Sequence, residues 1–290
     1  MSCIVHRRAQ FSASHHYWLP EWSEWENQRR FGAGSHFPGH GHNYVLYVSL
    51  AGEIDSNGMV VNLSEVKPIL QREVVDQLNY AYLNEVWPEF QQTLPTTECI
   101  ARAIWQRLRP QLPVTKVQLF EHPELWADYR GNGMEASLTL RTHFSAAHRL
   151  ARPDLSYEQN CDIYGKCAWP HGHGHNYHLE VTVTGEIEPR LGTVVNLGAL
   201  QQAVDQYATE PFDHKFLNKD IAYFAQVVPT AENIAAYIAQ QLQEPVRALG
   251  VTLERIELIE SPNNACEIDC RQLGESAQPV QTGAPASNRA

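Results

Sequence analysis

Two stretches of this sequence, FSASH at 11–15 and GHGHNY at 39–44, return as FSAAH at 144–148 and GHGHNY at 172–177. Both pairs are 133 residues apart, and further matching blocks follow in the same order at offsets of 133 or 134. These blocks are GEID and GEIE at 52 and 185, VVNL at 60 and 194, LN at 83 and 217, and PTTE and PTAE at 95 and 229. A nearly constant offset of this length predicts a duplicated domain, because the repeats of solenoid proteins are much shorter.

The repeat divides the 290 residues into two domains and a tail. The boundary falls in RGNGMEAS at 130–137, where glycine and asparagine favour a turn before the second copy begins. We predict domains at 1–133 and 134–273. The segment 274–290 is small, polar and contains proline, so we predict a disordered tail there.

The composition excludes several classes of protein. With 22 basic and 33 acidic residues the net charge is −11, which argues against a nucleic-acid partner. A hydrophobic content of 43% is sufficient for a packed core, and no apolar run is long enough to cross a bilayer or to form a signal peptide. Six cysteines are too few for a disulfide scaffold and suit a reducing compartment. We therefore expect a cytoplasmic protein without a membrane partner.

Both halves show the same sequence of strand and helix patterns. In the second half, apolar Tyr177, Leu179, Val181 and Val183 alternate with polar residues, which predicts a strand with one buried face. Helical spacing begins at 197 and again at 230, where Thr230 can act as the N-cap. VTLERIELIES at 251–261 returns to strand alternation. Each half is therefore predicted to be β-β-α-α-β-β with an antiparallel sheet, which makes the chain α+β.

The clustered histidines predict a metal site in each half. His173 and His175 are two residues apart at the start of a strand, so their side chains point to the same face. His148 ends the preceding strand, and a hairpin would bring it beside them. Three imidazoles without a fourth protein ligand are typical of zinc sites that keep a position open for substrate. The first half repeats the set as His15, His40 and His42.

Other polar residues near these motifs have more than one interpretation. Cys167, beside Lys166 and close to the metal site, is a candidate base or nucleophile, although most free cysteines are small buried hydrophobes. Asp213 and His214 form an adjacent acid and imidazole, a pairing that is also common at helix ends. A carboxylate such as Glu260, at the end of a strand, can bind an N–C–N edge with two hydrogen bonds or be an ordinary surface charge.

Taken together, the motifs of residues 137–270 resemble the family of 6-pyruvoyltetrahydropterin and 6-carboxytetrahydropterin synthases. The matching motifs, in order, are FSAAH, GKC…GHGHNY, GEIEP…GTVVNL, FDHKFLN, YFAQVVPTAENIA and LIES. The resemblance implies the tunnelling fold (T-fold), in which such units form rings around a barrel. It further implies that His148, His173 and His175 hold Zn²⁺, that Cys167 abstracts a proton, and that Asp213 and His214 assist it. Glu260, with Thr230 and Glu232, would anchor the 2-amino-4-oxo edge of a pterin.

The resemblance also implies a substrate, 7,8-dihydroneopterin triphosphate, and a lyase reaction in which the triphosphate is lost. Pyruvoyl-type members have five residues between the cysteine and HGH, whereas carboxy-type members typically have three. The interval from Cys167 to His173 gives five, but His171 also permits the shorter register. The FDHKFLN and YFAQVVPTAEN blocks favour a 6-pyruvoyl product, and a 6-carboxytetrahydropterin synthase remains the alternative.

The first half departs from the family pattern where chemistry would occur. Gly34 stands at the position of Cys167, and Asn79 and Tyr80 stand at the positions of Asp213 and His214. The histidines of the first half and Glu121 remain, so we expect metal and pterin binding there without turnover.

This asymmetry leads to a prediction about assembly. In the family, the Asp–His pair acts on the cysteine of a neighbouring subunit, and alternating halves would bring only Asn79 and Tyr80 to Cys167. We therefore expect the second halves of several chains to form one ring. The first halves, silent because they lack the catalytic residues, would form a separate ring stacked on it. The homo-oligomer would be a trimer that mimics a hexamer. Two other functions stay open: a non-catalytic pterin-binding module and a generic three-histidine zinc hydrolase or hydratase.

Overall fold

A computed structural model describes residues 2–271, and the predicted tail at 274–290 lies outside this range. Within the described residues, eight strands form one antiparallel sheet in the order β1-β2-β3-β4-β5-β6-β8-β9, and the short β7 pairs in parallel with β5. The strands are β1 (Ser2–His15), β2 (His40–Glu53), β3 (Val114–His122), β4 (Leu125–Tyr129), β5 (Glu135–His148), β6 (His173–Glu186), β7 (Lys215–Phe216), β8 (Thr252–Ser261) and β9 (Asn264–Asp269).

In each domain the buried face of the sheet is covered mainly by its longest helix. The longest, α5 and α9, pack on β3–β4 and on β8–β9 respectively. The helices are α1 (Glu24–Phe31), α2 (Leu63–Leu70), α3 (Asp76–Leu78), α4 (Leu83–Val86), α5 (Thr97–Leu108), α6 (Tyr157–Tyr164), α7 (Leu197–Val204), α8 (Leu217–Asp220) and α9 (Ala231–Ala248). This arrangement confirms the predicted α+β class and the antiparallel sheet, and, apart from additional short elements, the β-β-α-α-β-β order of each half.

The period-two pattern correctly predicted β6 and the face that it buries. Tyr177, Leu179, Val181 and Val183 are fully buried, whereas His178 between them is exposed. The spacing of apolar residues also correctly predicted α9, where Ile234, Ile238 and Leu242 face the core. The Thr230 hydroxyl accepts a hydrogen bond from the amide of Asn233, so the predicted N-cap is present.

The sequence interpretation missed one helix in each domain, between the first two strands. These helices, α1 and α6, bury little apolar surface, so hydrophobic periodicity does not reveal them. Each is fixed instead by a capping box, Ser23 with Glu26 and Ser156 with Gln159. The S-x-x-E and S-x-x-Q spacings were the signal that was available for these two helices.

The two domains join edge to edge in the same sheet. β4 of the first domain pairs with β5 of the second, from Leu125 opposite Leu140 to Asp128 opposite Ser137. The linker at 130–134 is short, so the two strands form a hairpin. The prediction that silent halves stack as a separate ring is therefore wrong, because this part of β5 is no longer free to pair with another second domain. A ring closed through the outer strands β1 and β9 would alternate the two domains.

None of the helices in the described part of the chain has both the length and the apolar character needed to span a bilayer.

Candidate metal and substrate sites

The end of β5 and the start of β6 bring three histidines of the second domain together. His148 lies opposite His173 in the strand register, and His175 lies two residues further along β6 on the same face. The Nε2 atoms of His148 and His173 are 3.1 Å apart. The Nδ1–H of His148 donates to the carbonyl of Pro229 at 2.7 Å, which leaves its Nε2 with a lone pair directed at the cluster.

The electrostatics of this cluster suit a cation. Burial lowers the pKa of His148 to about 4 and also lowers the pKa of His173, so both imidazoles are neutral at physiological pH. The Nε2 of His175 is buried without a hydrogen-bond partner in the described chain. Two nitrogen ligands of a tetrahedral zinc ion lie about 3.3 Å apart, close to the separation seen here. The three side chains therefore fit a metal ion.

The first domain contains the corresponding cluster, with a carboxylate added. The Nε2 atoms of His15 and His40 are 3.1 Å apart, and Nδ1 of His15 bonds to the carbonyl of Pro95 at 3.0 Å. Glu121 Oε1 lies 3.4 Å from Nε2 of His42. One ligand atom from each of these four residues lies within 4.8 Å of all the others. Burial lowers the pKa of His15 to about 4, and it lowers the pKa of His40 and of His42.

Glu260, the predicted pterin anchor, lies at the edge of the second-domain cluster. Its Oε1 is 3.8 Å from Nε2 of His148 and 3.7 Å from Nε2 of His175. The other two predicted substrate residues lie at the N-terminus of α9, where Thr230 caps the helix and Glu232 is exposed. The structure therefore brings Glu260 to the histidines, whereas Thr230 and Glu232 lie on a neighbouring, open surface.

The corresponding surface of the first domain is covered by the second domain. Thr96 donates to the carbonyl of Gly192 and Glu98 accepts from the amide of Val194, so the loop at 189–194 covers the N-terminus of α5. We call this contact between the two domains the seam. A cavity of about 630 Å³ lies in it, between Glu121 and the segment 193–202. The site of one domain is thus walled partly by the next domain in the sheet.

Cys167 lies in a short 3₁₀ turn, half-buried, between α6 and β6. Its carbonyl accepts from the amide of Leu150 at 2.9 Å, just as the carbonyl of Gly34 accepts from the amide of Tyr17 at 3.0 Å. Gly34 and Cys167 are therefore structurally equivalent. A Cβ at Gly34 would lie 2.8 Å from Cδ2 of Tyr17, so that ring fills the space next to the missing thiol.

Asp213 and His214 lie beside the C-terminal part of β5, beyond the end of its pairing with β4. Asp213 Oδ1 accepts from the amide of Ser145, and its Oδ2 accepts from Nδ1–H of His214 at 2.8 Å. These hydrogen bonds, that from Ser145 first, hold the pKa of Asp213 below its usual range. His214 has a left-handed φ of 55° and its side chain is 82% exposed. Among residues 2–271, no hydrogen bond or ion pair joins this pair to Cys167.

Asn79 and Tyr80 repeat this geometry in the first domain. Asn79 accepts from the amide of Ser12, and Tyr80 has a φ of 60° and is 89% exposed. The repeat alignment therefore matched the correct positions, and the backbone conformation is kept although the side chains differ.

The sequence interpretation missed three kinds of contribution to these sites. The carbonyls of Pro95 and Pro229 orient a histidine in each cluster, and PTTE and PTAE were the motifs that could have indicated this. Tyr17 and Thr97 bond to Glu121 at 3.5 and 2.5 Å, and their partners in the repeat, Leu150 and Ala231, were the available signal. The wall at 193–202 comes from the other domain, for which no motif gave a signal.

The fold and the paired histidine clusters define a tandem protein of two α+β domains on one sheet, each with a histidine cluster that fits a metal ion. Each half is similar to the same known family. A family model described as 6-pyruvoyl tetrahydropterin synthase matches residues 4–132 and again residues 137–271. The chain belongs to this family. The predicted resemblance, the tandem T-fold and the lyase class of enzyme are thereby confirmed.

Individual relatives match one half of the chain in length. The 6-pyruvoyl tetrahydrobiopterin synthase of Homo sapiens is 46% identical over 134 residues, which is 46% of this chain and 91% of that protein. The 6-carboxy-5,6,7,8-tetrahydropterin synthase of Rickettsia bellii is 27% identical over 146 residues, 45% of this chain and 97% of that protein. The structure of 6-pyruvoyl tetrahydropterin synthase from Caenorhabditis elegans is 32% identical, with a TM-score of 0.44, and the match covers 47% of this chain and 95% of that one.

Proposed function

We propose that the second domain converts 7,8-dihydroneopterin triphosphate to 6-pyruvoyltetrahydropterin with loss of triphosphate, using Zn²⁺ held by His148, His173 and His175. The observation that carries the proposal is the cluster itself, three converging imidazoles with Glu260 beside them. The three histidines would hold the metal, which would bind the substrate hydroxyls, and the nearness of Glu260 to the histidines supports a role in binding the pterin ring. The 46% identity to a pyruvoyl-type relative supports this product over the 6-carboxy product.

The side chains divide the work between binding and proton transfer. The Glu260 carboxylate accepts two hydrogen bonds from the 2-amino group and the adjacent ring N–H of the pterin, with Thr230 and Glu232 contributing from the start of α9. When bound, zinc acts as a Lewis acid that acidifies the C–H bonds next to the side-chain hydroxyls. Cys167, as the thiolate, removes a carbon-bound proton. Asp213 holds Nδ1–H of His214, so that Nε2 can accept that proton and return it.

His171 does not support the shorter cysteine register. It is exposed, and it is not among the three histidines whose ligand atoms converge. This supports the interval of five residues from Cys167 to His173, which is the pyruvoyl-type spacing. All six cysteines are free thiols, which suits the reducing cytoplasm that we propose as its location.

We also propose that a second copy of the chain completes the second-domain site. Ile54 at the outer edge is 45% exposed, whereas Ile187, its equivalent at the seam inside the chain, is 1% exposed. Glu232 is exposed, whereas its equivalent Glu98 is covered by the loop at 189–194. The loop at 55–60 of another copy would cover Thr230 and Glu232 in the same way.

The shared sheet changes the expected size of the homo-oligomer. Each chain contributes two adjacent domains, so a closed ring contains an even number of domains. Since β1 and β9 do not pair with each other within residues 2–271, the smallest such ring is a pair of chains. Closing it would remove the open edges of β1 and β9. Such a ring replaces the three-chain arrangement that the sequence suggested. Within residues 2–271 the Asp213–His214 pair is exposed and makes no contact with Cys167, so it would serve the Cys167 of another copy, such as one in a second ring stacked on the first.

The reaction is tested by incubating the zinc-loaded protein with 7,8-dihydroneopterin triphosphate and identifying the products by mass. We expect free triphosphate and a product with the mass of 6-pyruvoyltetrahydropterin. A 6-carboxy product would assign the chain to the other branch of the family. Binding of the substrate without release of triphosphate would instead show a pterin-binding module.

A further inference from the structure

Both metal clusters have a carboxylate beside them, Glu121 in the first domain and Glu260 in the second, and the two differ in how they stand against the histidines. In the first domain the carboxylate belongs to the group of four ligand atoms that lie within 4.8 Å of one another. In the second domain the corresponding group contains the three histidines alone. The nearest carboxylate–imidazole distance is 3.4 Å in the first domain, compared with 3.7 Å in the second.

Two hydroxyl groups hold Glu121 in this position. Thr97 donates to Oε2 at 2.5 Å and the Tyr17 hydroxyl donates to the same oxygen at 3.5 Å, which leaves Oε1 directed at His42. Carboxylates that bind a metal through one oxygen are commonly hydrogen-bonded through the other. The second domain lacks both supports, because Ala231 and Leu150 stand at the positions of Thr97 and Tyr17.

The charge of Glu121 also requires a partner. The residue is 92% buried, with 8% of its surface exposed, and within residues 2–271 no lysine or arginine forms an ion pair with it. A buried carboxylate is costly unless hydrogen bonds and a nearby cation compensate for its lost solvation. A divalent ion held by the three histidines would supply that charge within reach of Oε1.

The same residues leave the first domain without a base for turnover, although the cavity of about 630 Å³ lies beside Glu121. Tyr17 lies against the position where a thiol would stand, with its ring centroid 4.6 Å from that of His15. A carboxylate that binds the metal is not free to accept both hydrogen bonds from a pterin. The residues near Gly34 and those around Glu121 therefore have the same effect: the first remove the thiol, and the second remove the free carboxylate that would bind a pterin.

We propose that His15, His40, His42 and Glu121 form a closed, four-ligand structural metal site, and that the first domain binds no pterin. Structural zinc sites have four protein ligands, whereas catalytic sites keep one position for water or substrate. The expected pterin role of Glu121 is thereby replaced by a role as a ligand. This proposal rests on the proposed metal of the histidine clusters but not on the proposed reaction.

The test is the release of zinc from the full-length protein to a chromophoric chelator. The two clusters predict two zinc ions per chain, one released fast and one slowly. Glu121→Gln should lose the slow ion or accelerate its release about 10–100-fold. Glu260→Gln, the matched variant of the second domain, should leave the slow phase unchanged. An unchanged slow phase in Glu121→Gln, or an equal effect of Glu260→Gln, would overturn the proposal.

Two further measurements keep the proposal testable if Glu121→Gln does not fold. Thr97→Ala, which copies the second domain, should accelerate the slow phase while Leu150→Tyr should not. Equilibrium dialysis of the Cys167→Ala protein with neopterin should show one site per chain, and two sites would refute a closed first domain. Zinc release in two phases with no neopterin bound would leave the metal proposal standing and count against the proposed reaction.

Discussion

The first and second domains have the same backbone, but different side chains surround their histidine clusters. Where the second carries Cys167, Leu150 and Ala231, the first carries Gly34, Tyr17 and Thr97. The hydrogen bonds that define the frame are unchanged, from the strand register of the histidines to the turn at Asn79 and Asp213. The comparison shows that the two domains differ in a few side chains around the histidine cluster, while the fold and the histidines are the same in both.

The largest effect expected from this comparison is that of Cys167→Ala. Loss of the base should reduce turnover of 7,8-dihydroneopterin triphosphate by about 10²–10⁴-fold, because proton abstraction contributes that much to such reactions. Zinc content should stay unchanged, since the thiol is not part of either ligand group. Steady-state kinetics together with metal analysis measure both quantities. Turnover within a factor of two of the wild-type rate would remove Cys167 from the mechanism.

The matched change in the first domain provides the control. Gly34→Cys should add no activity and should lower the free energy of unfolding by about 1–3 kcal/mol, because the new Cβ collides with Tyr17. Adding Tyr17→Leu should recover most of that loss, since leucine is the residue that the second domain uses beside Cys167. Thermal melts of the single and double variants show whether the ring is the obstacle.

A smaller effect is expected when two inactive chains are combined. His214 is exposed and has no contact with Cys167 inside the chain, so the two residues should act between copies. Co-expressed Cys167→Ala and His214→Asn chains should recover about one quarter of the wild-type activity, because random assembly pairs an intact cysteine with an intact histidine in that fraction of sites. Each variant expressed alone should be inactive. If the mixture is no more active than either variant alone, then Cys167 and His214 do not act together between copies of the chain.

The sequence predicted most of the fold because the duplication shows every pattern twice. Two copies of F-S-A-x-H and G-H-G-H-N-Y, one on each side of a strand pair, are sufficient to place all six histidines, and the structure confirms the strand order around them. The seam was beyond the sequence interpretation, because pairing of β4 with β5 depends on the length and geometry of the linker at 130–134 rather than on a motif. Helices α1 and α6 were missed because buried asparagines and capping boxes, not apolar stripes, stabilise them.

The proposed role of Glu121 as a fourth metal ligand was missed for a related reason. The alignment pairs it with Glu260, and nothing in either local motif distinguishes the two carboxylates. Their difference is set by Thr97 and Tyr17, which are 24 and 104 residues away along the chain. A comparison between the repeats shows that these positions differ, but only the three-dimensional contact shows that the difference acts on the carboxylate.

The smallest expected effect concerns the equivalent residues Glu98 and Glu232, one buried in the seam and one exposed. Burial raises the pKa of Glu98 to about 7, whereas hydrogen bonds to its own amide and to Thr230 lower the pKa of Glu232. Between the unfolded-state value and about pH 7, the unfolded chain loses the Glu98 proton while the folded chain keeps it. The free energy of unfolding therefore falls as the pH rises through this window and stays lower above it.

Glu98→Gln should consequently raise the melting temperature at pH 8 and change it little at pH 5, with a gain of about 1–3 kcal/mol at the higher pH. Glutamine keeps the oxygen that accepts from Val194, so the seam itself is preserved. Glu232→Gln should produce no gain at either pH, because that side chain is exposed in the single chain. If a second copy covers Glu232 as the loop at 189–194 covers Glu98, the same gain at pH 8 should appear for Glu232→Gln in the assembled oligomer and disappear on dilution to single chains. This concentration dependence makes a pair of conservative variants a direct probe of whether the seam inside the chain is repeated between chains.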